Sequence, residues 1–339
     1  MTTATALKKI FPYGSRRHAM LTHLIEPQVA PELRRNHRVL PESGDQKLRE
    51  SLIRHFFTDR SYYPDPPSVY LETEMGRSDL KDHLTGRLSS FRSVVVPWLS
   101  ATIPLKGKRV LEIGAGTGAS TVALAEQGAN VLAIDVSEGA LTVGRERCRL
   151  YGLDASFMAG NAAALDQVIG DLNFDCIVYF AVLEHMTWQE RFASLRAAWK
   201  RLRPGQHLVV IETPNRLWHT DTHTSGEPFF HWISDEVAYD YSRCTKREIY
   251  NRTFSGPIDE AGRTLLARWG RGSSYHEFAL SFDMQPEALP VVSYLSGFRK
   301  QGLGALRSEN EYEGMLRRLA PGIHHGFLVS YLDLIFEKR

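Results

Sequence analysis

Between residues 109 and 214, short apolar runs alternate with segments of helical periodicity. The helical period is clear before the fifth run, where Phe192, Leu195 and Trp199 step by three and four residues. Such alternation is typical of a parallel sheet that helices cover on both faces. We therefore predict an α/β fold of the Rossmann-like, doubly wound kind, with a mainly parallel seven-stranded sheet. The runs predicted as strands one to five are 109–114, 131–136, 155–159, 174–180 and 207–213.

The two flanks of this zone differ from it in composition. The N-terminal flank is rich in Arg, His, Pro and aromatic residues, and we expect it to form a helical cap. Helices are predicted over 80–99 and from Ser234, and strands at 275–282 and 327–337 would complete the sheet. The predicted divisions are a cap at 1–79 and a main domain at 80–339, which contains the alternating zone at 109–214, a lid segment at 215–245 and a helical insertion at 283–325.

Composition and charge exclude several classes of protein. The chain has 339 residues, which suits one large domain or two modest ones. Its 41 basic and 39 acidic side chains leave a formal charge of +2, too little for a dedicated nucleic-acid binder. Cys148, Cys176 and Cys244 are widely spaced, which indicates a reducing compartment without a disulfide framework. The apolar stretch 94–105 is too short and too interrupted to cross a bilayer. We therefore expect a cytoplasmic protein without a nucleic-acid or membrane partner, and its oligomeric state stays open.

A glycine-rich loop, Glu-Ile-Gly-Ala-Gly-Thr-Gly at 112–118, follows the first predicted strand and opens a helix. Alternate glycines let a backbone turn sharply and approach a ligand closely, with amides at a helix N-terminus. Asp135 ends the second strand, 17 residues after Gly118, where a carboxylate can accept both hydroxyls of an adenosine ribose. The loop and Asp135 together predict a site for an adenosine-containing cofactor.

Two kinds of cofactor fit this loop. Gly114, Gly116 and Ala119 satisfy the dinucleotide fingerprint, which tolerates alanine at its third position. Glu112 instead favours a cofactor with an ammonium group, because a carboxylate is a poor neighbour for a pyrophosphate. The third glycine at 118, which gives G-x-G-x-G, points the same way.

Five segments along the zone carry a more specific pattern. They read VLEIGAGTG at 110–118, VLAIDVS at 131–137, AGNAAAL at 159–165, FDCIVYFAVLEHM at 174–186 and LRPGQHLVVIETPNR at 202–216. With these motifs the chain resembles the class I S-adenosylmethionine-dependent methyltransferases, in the type 11/12-like small-molecule branch that includes ubiquinone-pathway enzymes. The resemblance implies S-adenosyl-L-methionine as cofactor and a small molecule as methyl acceptor. It also implies that 109–214 is the cofactor-binding half, that 215–245 is a lid and acceptor segment and that the cap at 1–79 covers the substrate.

The resemblance also implies which residues bind the cofactor. The glycine loop would lie under the methionine part, and Glu112 would face its amino group directly or through water. Asp135 would bind the ribose hydroxyls, and Asn161 would accept from the adenine amino group, where the family usually has Asp. As alternatives, Asp135 can cap the next helix and Asn161 can belong to a turn. The full predicted set is Glu112, Gly114, Ala115, Gly116, Gly118, Asp135, Val136, Asn161, Ala162, Phe180 and Ala181, with Val136 on the adenine and the last two at the methyl end.

Histidines cluster after the fourth and fifth strands, at the edge where open parallel sheets bind ligands. A hydroxyl acceptor usually needs a general base, whereas an amine or thioether acceptor can react without one. We predict that residues 215–232 line the acceptor pocket and that His223, or else His185, is the base. The alternative is that His185 holds its loop by hydrogen bonds and that His223 and Asp221 cap the lid.

The spacing His219-x-Asp221-x-His223 can also recruit a divalent metal ion. Short loops with His and Asp are common, and no further cluster in the sequence is tied to this one, so no metal site is predicted. Three tyrosines of the N-terminal flank are predicted to wall the acceptor through their ring faces, or alternatively to pack within the cap: Tyr62, Tyr63 and Tyr70.

Three other functions compete with small-molecule methylation. Asp65-Pro66-Pro67 resembles part of a motif of nucleic-acid amino-methylating enzymes, but Ser68 stands where that motif has an aromatic residue. A nicotinamide-dependent oxidoreductase would use the dinucleotide fingerprint. A binding module could keep the fold without the activity. Whether the reacting atom of the acceptor is oxygen, nitrogen or sulfur stays open.

Overall fold

The computed structural model describes residues 30–41, 43–59, 63, 65–254, 256–296 and 307–339. The strands in this part of the chain are β1 Arg109–Ile113, β2 Asn130–Asp135, β3 Ser156–Ala159, β4 Cys176–Phe180, β5 His207–Ile211, β6 Val291–Tyr294 and β7 Leu334–Glu337. They form one sheet in the order β3-β2-β1-β4-β5-β7-β6. Strands β1 to β5 are mutually parallel, and β7 runs antiparallel between β5 and β6. The predicted α/β fold with a mainly parallel seven-stranded sheet is confirmed.

The parallel arrangement decides where a site can form. The five strands predicted within 109–214 are all present, and β1, β2, β4 and β5 have their carboxyl ends at one edge of the sheet. In an open parallel sheet this edge is where ligands bind. The loops that follow these four strands therefore meet at one place in the molecule.

Strand β4 illustrates how both faces of the sheet are buried. Ile177 and Tyr179 point into one core, which Trp199 joins from the following helix. Val178 and Phe180 point into a second core on the opposite face. All four strand residues are at most 5% exposed. Burial on both faces is expected of a central parallel strand, and it explains the unbroken apolar run in the sequence.

Helices cover both faces, and among the described helices none is both long and apolar enough to span a membrane. The α-helical segments are α1 Pro31–Arg35, α2 Gly44–Ser51, α3 Pro67–Tyr70, α4 Glu74–Lys81, α5 Arg87–Ser90, α6 Val96–Ser100, α7 Ala119–Glu126, α8 Glu138–Leu150, α9 Leu165–Ile169, α10 Trp188–Arg201, α11 Asp235–Tyr241, α12 Glu248–Thr253, α13 Glu260–Arg268, α14 Tyr275–Phe282 and α15 Arg307–Leu319.

The helix predicted over 80–99 belongs to a longer helical run. Helices α4, α5 and α6 are joined by π-helical turns at Asp82–Gly86 and Phe91–Val95, so the chain is helical from 74 to 100. The end of this run lies against the sheet, where the Trp98 Nε1 donates to the Ser293 hydroxyl at 2.8 Å. Its beginning packs with α2 in a separate apolar cluster that includes Val143 of α8.

The prediction of a strand at 275–282 is wrong, because this segment is α14. The Glu277 carboxylate accepts the backbone N–H of Ser274 at 2.9 Å, a contact typical of a helix start. The apolar side chains also recur at helical spacing, and Phe282 stacks on Trp199 with ring centroids 4.1 Å apart. The aromatic and apolar content of the segment is compatible with a strand, whereas the contact between Ser274 and Glu277 is typical of the start of a helix.

Two further expectations for the C-terminal zone need correction. The range 283–325, expected to be a helical insertion, contains helix α15 but also strand β6. The range 327–337, expected to be one strand, is extended as a strand only over Leu334–Glu337, after a 3₁₀ turn at His325–Phe327. The sheet still reaches seven strands, because β6 takes the place of the strand predicted at 275–282.

Candidate functional site

The loop between β1 and α7 carries glycines in the left-handed region. Gly114 has a φ of +80° and Gly116 a φ of +51°. A Cβ at Gly114 would lie 2.7 Å from the carbonyl oxygen of Phe180, so only glycine fits there. A Cβ at Gly116 would meet no described atom within 4 Å. The loop therefore packs closely against the end of β4 and leaves open space on its other side, as a ligand-binding loop requires.

Asp135 stands at the end of β2, and its carboxylate contacts the glycine loop. One oxygen accepts the N–H of Gly116 and the other accepts the N–H of Ser137, both at 2.9 Å. Burial raises the pKa of Asp135, although both backbone hydrogen bonds oppose the rise. The cap of α8 is Ser137, whose hydroxyl accepts the N–H of Ala140 at 3.2 Å. The capping role that the sequence left open for Asp135 thus belongs to Ser137.

Glu112 lies on β1 with its carboxylate enclosed beneath the first turn of α7. Its side chain is 0% exposed, and the hydroxyls of Ser120 and Thr121 both donate to it, the latter at 2.6 Å. Burial raises the pKa of Glu112 to about 7, against the two hydroxyl donors, and the nearby Asp135 raises it further. Because the carboxylate is fully enclosed, the expected direct contact between Glu112 and a ligand amino group is not open in this structure.

Val136 and Asn161 lie at the ends of β2 and β3. Val136 is 65% exposed beside Asp135, which leaves an apolar side chain for a ligand to cover. The side-chain oxygen of Asn161 (Oδ1) accepts the N–H of Ala163 at 2.9 Å, so this side chain has the turn role that the sequence left open. Ala162, next in the chain, is buried.

Phe180 and Ala181 mark the carboxyl end of β4. Phe180 is buried and packs edge-on against Phe91, with ring centroids 5.0 Å apart. Ala181 has a φ of +42°, and Glu212, just after the neighbouring strand β5, has a φ of +61°. Positive φ is uncommon for residues with a Cβ. Backbone strain of this kind clusters at functional sites, which agrees with the position of both residues at the ligand-binding edge.

Arg147 joins the N-terminal helices to the glycine loop. Its buried guanidinium donates to the carbonyl of Thr117 at 2.7 Å and to the carbonyl of His83 at 2.6 Å. The His83 Nδ1 also lies 3.1 Å from the Thr117 hydroxyl. Burial lowers the pKa of Arg147 to about 10. Sequence reasoning missed this residue, although its position four residues after Val143 on the buried face of α8 was a signal.

Asp221 organises the loop that follows β5. Its carboxylate accepts backbone N–H groups from His223 at 3.0 Å, Thr224 at 2.9 Å and Ser225 at 2.7 Å. Burial would raise the pKa of Asp221, but the adjacent His231 and the hydrogen bonds from Thr224 hold it below its usual value. Among the described residues, His219, Asp221 and His223 do not form a group whose ligand atoms come together, so the metal motif that their spacing allowed does not form.

In the rest of the predicted acceptor segment, some side chains pack against neighbouring residues and others are exposed to solvent. The His219 ring packs against Tyr312, with centroids 4.6 Å apart, and its Nδ1 lies 2.7 Å from the Thr220 hydroxyl. Phe229 and Trp232 are 49% and 53% exposed, so they offer apolar surface to a ligand. The predicted helix from Ser234 is α11, and the Ser234 hydroxyl accepts the N–H of Val237, so neither Asp221 nor His223 caps it.

The structure does bring His185 and His223 together, with ring centroids 5.3 Å apart. Glu184 joins them, because one ligand atom from each of the three side chains lies within 4.8 Å of the others. Glu184 and His185 belong to a 3₁₀ turn just after β4, and His223 belongs to the loop after β5. The cluster therefore lies at the same edge of the sheet as the glycine loop.

Burial decides the protonation of this cluster. Burial and the neighbouring His185 lower the pKa of His223 to about 3. Burial also lowers the pKa of His185. It raises the pKa of Glu184 to about 8. Both imidazoles are thus neutral at pH 7 and keep a lone pair. A pKa near 3 also makes His223 a weak proton acceptor.

Sequence reasoning named the two histidines but missed Glu184 as their partner. A signal was available, because Glu184 directly precedes His185 at the end of β4. His185 and His223 meet only because β4 and β5 pair side by side.

The tyrosines predicted to wall the acceptor have packing roles. Tyr70 is buried, its hydroxyl donates to Asp79, and its ring lies 5.0 Å from that of Tyr63. Both belong to the apolar cluster of the N-terminal helices. Tyr62 lies outside the described residues.

Comparison with known proteins identifies relatives over the central part of the chain. Residues 110–205 match a family model described as "Methyltransferase domain". The chain is 32% identical over 145 residues to the cypemycin N-terminal methyltransferase of a Streptomyces species, covering 41% of this chain and 54% of that protein. It is 31% identical over 121 residues to the ubiquinone biosynthesis O-methyltransferase of Pseudomonas entomophila, covering 36% of this chain and 50% of that protein.

Among solved structures, the magnesium protoporphyrin IX methyltransferase of Synechocystis PCC 6803 with bound SAH is 23% identical to this chain. The match covers 48% of this chain and 70% of that one, with a TM-score of 0.35. The chain spans about half the length of the curated relatives it matches.

Proposed function

Residues 110–205 belong to a class I, S-adenosylmethionine-dependent methyltransferase domain, as the motifs predict, and from this premise we propose that the chain methylates a small molecule. The cofactor is S-adenosyl-L-methionine, which supplies an activated methyl group on its sulfonium when bound. The task of this chain is to align the acceptor with that methyl group and to exclude water. A nicotinamide-dependent oxidoreductase has no support from the matched domain.

The open side of the glycine loop is the observation that carries the cofactor proposal. Gly116 has free space beside it, and the Asp135 carboxylate stands 2.9 Å from its N–H. We propose that the loop holds the methionine part, that Asp135 binds the ribose hydroxyls and that the exposed Val136 covers the adenine. The other residues proposed at this site are Glu112, Gly114, Ala115, Gly118, Asn161, Ala162, Phe180 and Ala181.

The acceptor is proposed to lie beside the histidines that follow β4 and β5. We propose His223 or His185 as general base toward a hydroxyl acceptor, because both imidazoles are neutral; the pKa of His223 near 3 makes it the weaker proton acceptor and favours His185. The exposed aromatic side chains of Phe229 and Trp232 support an acceptor with apolar surface. The charge of +2 and the free cysteines support a cytoplasmic enzyme acting on small molecules rather than on nucleic acid.

Calorimetric titration with S-adenosylhomocysteine tests the cofactor proposal. We expect Asp135→Ala to weaken binding by about 1.5–3 kcal/mol, because charged hydrogen bonds are lost. Asp175→Ala is a matched control, since Asp175 lies at the opposite edge of the sheet, where it accepts the N–H of Arg109 at 2.8 Å. Equal affinities of the wild type and Asp135→Ala would contradict the assignment, and tight NADH binding by the wild type would favour the oxidoreductase.

Mass spectrometry of metabolite extracts incubated with the protein and isotope-labelled cofactor tests the acceptor proposal. We expect label in a small molecule, and label in added DNA or RNA alone would contradict it. If the acceptor atom is oxygen, His223→Ala or His185→Ala should lower turnover by about 10²–10⁴-fold without changing the affinity for S-adenosylhomocysteine. If it is nitrogen or sulfur, the same changes should act mainly on acceptor affinity.

A further inference from the structure

Glu184, His185 and His223 bring metal-ligating atoms together from two separate loops. The His185 Nε2 lies 3.8 Å from the Glu184 Oε1, and one ligand atom from each of the three side chains lies within 4.8 Å of the other two. Within the described part of the chain, this is the one group of three His, Cys, Asp or Glu side chains whose ligand atoms lie within 4.8 Å of one another. Ligand atoms about 2 Å from one ion lie about 3–4 Å from each other, so these three side chains would move together by up to about 1 Å to surround a small cation.

The Glu184 carboxylate is buried without a donor. Its side chain is 0% exposed, and neither oxygen has a partner at full hydrogen-bond geometry within the described residues; the Thr213 hydroxyl and the Arg191 charge oppose the rise of its pKa without outweighing burial. The hydroxyl oxygen of nearby Thr213 is also buried and unpartnered. A buried carboxylate without partners is costly, and such groups are ordinarily paired or bound to a metal. Glu184 therefore indicates a ligand at this place.

The tautomer of His185 is fixed in the form that a metal ligand needs. Its Nδ1 lies 2.7 Å from the carbonyl oxygen of Arg268. A carbonyl can only accept, so Nδ1 carries the proton and Nε2 keeps its lone pair on the side of Glu184. A ligating histidine typically donates its other N–H to a carbonyl or carboxylate in this way.

We propose that Glu184, His185 and His223 bind one divalent transition-metal ion at the acceptor end of the site. Two imidazoles and one carboxylate suit Zn²⁺, Mn²⁺, Fe²⁺ or Co²⁺ better than Mg²⁺ or Ca²⁺, which prefer oxygen ligands. Three protein ligands leave coordination positions open for a substrate, as in catalytic metal sites.

The open positions define a class of acceptor, and this step rests on the proposed methyltransferase function. An acceptor hydroxyl bound to the ion loses its proton to water more readily. Its oxygen then forms the new O–C bond while the S–C bond of the sulfonium breaks, releasing S-adenosylhomocysteine. A histidine that binds the ion cannot accept the proton of the acceptor, so with the ion bound, water would take that proton and the histidine would act as a ligand and not as the general base. The acceptor is therefore an oxygen nucleophile able to bind a metal ion.

Metal titration of the purified chain tests the proposal. After dialysis against EDTA, the protein is titrated separately with ZnCl₂ and MnCl₂ by calorimetry, and bound metal is counted by elemental mass spectrometry. We expect one ion per chain and a higher Tm in its presence, because the ion binds only the folded chain. Glu184→Gln and His223→Asn should each weaken binding by about 100-fold or more, since loss of even an outer-shell partner costs 10–100-fold.

His207→Asn is the matched control. The His207 Nε2 lies 3.5 Å from the Glu337 Oε2, so it is also a His–Glu pair in this sheet, but it starts β5 at the opposite edge. Its replacement should leave metal affinity unchanged. Circular dichroism shows which variants fold, and His223→Asn tests the site if Glu184→Gln does not fold. No stoichiometric binding of either ion below about 1 mM, or equal binding by wild type and folded variants, would overturn the proposal.

Titration of the same samples with S-adenosylhomocysteine separates this inference from the function on which its chemical role depends. Binding of S-adenosylhomocysteine without binding of metal removes the metal site and leaves the methyltransferase proposal. Binding of metal without S-adenosylhomocysteine removes the methyltransferase proposal and keeps the metal site.

Discussion

Glu112 carries a carboxylate that water does not reach, and it faces few charged groups. Ser120 and Thr121 donate hydroxyl hydrogens to it from α7. The titratable groups that act on it are Asp135 on the neighbouring strand and Cys148 on α8. Burial outweighs the two donors and raises the pKa to about 7. The protonation of this one side chain is therefore coupled to folding.

We predict that Glu112→Gln removes a pH dependence of stability. The ordinary pKa of the group is 4.5, so between pH 4.5 and 7 the folded chain binds the proton more tightly than the unfolded chain. Its contribution to the free energy of unfolding is complete below pH 4.5 and is lost as the pH rises through 7. At about 1.4 kcal/mol per pH unit, the wild type should lose about 3 kcal/mol relative to the variant up to about pH 8. Urea unfolding across this range measures the difference.

Glu146→Gln is the control for this measurement. Glu146 lies nearer the surface of α8, and its hydrogen bond with Arg149 lowers its pKa. The stability difference from the wild type should therefore stay flat above pH 5. Parallel curves for Glu112→Gln and the wild type would contradict the burial of an ionisable carboxylate at 112.

At the scale of elements, the ends of β1, β2 and β4 form one surface around the glycine loop. We predict that Gly116→Ala weakens binding of S-adenosylhomocysteine at least tenfold, because the new methyl group enters the open space beside the loop. It should lower the free energy of unfolding by only about 1–2 kcal/mol, the strain of a left-handed alanine. Calorimetric titration and urea unfolding measure the two effects.

Gly152→Ala supplies the matched comparison. Gly152 has a φ of +63°, and a Cβ there would also meet no described atom within 4 Å, but it follows α8 away from the loop. It should lose similar stability and keep the affinity of the wild type. Wild-type affinity in Gly116→Ala would show that the open space is not where the cofactor lies.

Elements with a periodic sequence were predictable, and elements defined by a few capping or pairing contacts were not. The strands from β1 to β5 carry apolar runs that are buried on both faces, so their pattern is strong. Strand β6 has four residues at an exposed end of the sheet, and only half-buried or exposed side chains mark it. Helix α14 is apolar enough to resemble a strand, and Glu277 of its first turn was the decisive signal.

At the scale of the whole molecule, Arg147 holds the N-terminal helical layer on the main domain. We predict that Arg147→Met lowers the free energy of unfolding by about 1–3 kcal/mol, because the buried carbonyls of Thr117 and His83 lose their donor. Hydrogen exchange should quicken in the helical run from 74 to 100 more than in the strands. Urea unfolding and hydrogen-exchange mass spectrometry measure the two effects.

Arg149→Met serves as the control from the same helix. Arg149 is exposed and pairs with Glu146 three residues before it, a contact of small value. The variant should change the free energy of unfolding by less than about 0.5 kcal/mol and should leave hydrogen exchange in the helical run as in the wild type. Equal exchange in all parts of Arg147→Met would show that this side chain stabilises the molecule without holding the cap.

The candidate site shows the same limit of sequence reasoning at a larger scale. The glycine loop and Asp135 could be predicted, because each follows a recognisable strand and the two strands pair. The cluster of Glu184, His185 and His223 could not, because it depends on the side-by-side pairing of β4 and β5 and on a loop shaped by Asp221. Contacts between distant segments are set by the sheet order, which no local pattern encodes.

The position of β7 inside the sheet has a consequence for synthesis on the ribosome. In the described sheet β6 pairs only with β7, and residues 212–333 separate β5 from β7. At 5–20 residues per second, this stretch takes about 6–24 s to translate. During that time the edge of β5 is unpaired, and β6 also lacks its neighbour once residues 291–294 have been made. Open strand edges of this kind pair with other chains. Until β7 is made, the nascent chain therefore presents an edge at which a second chain can add a strand.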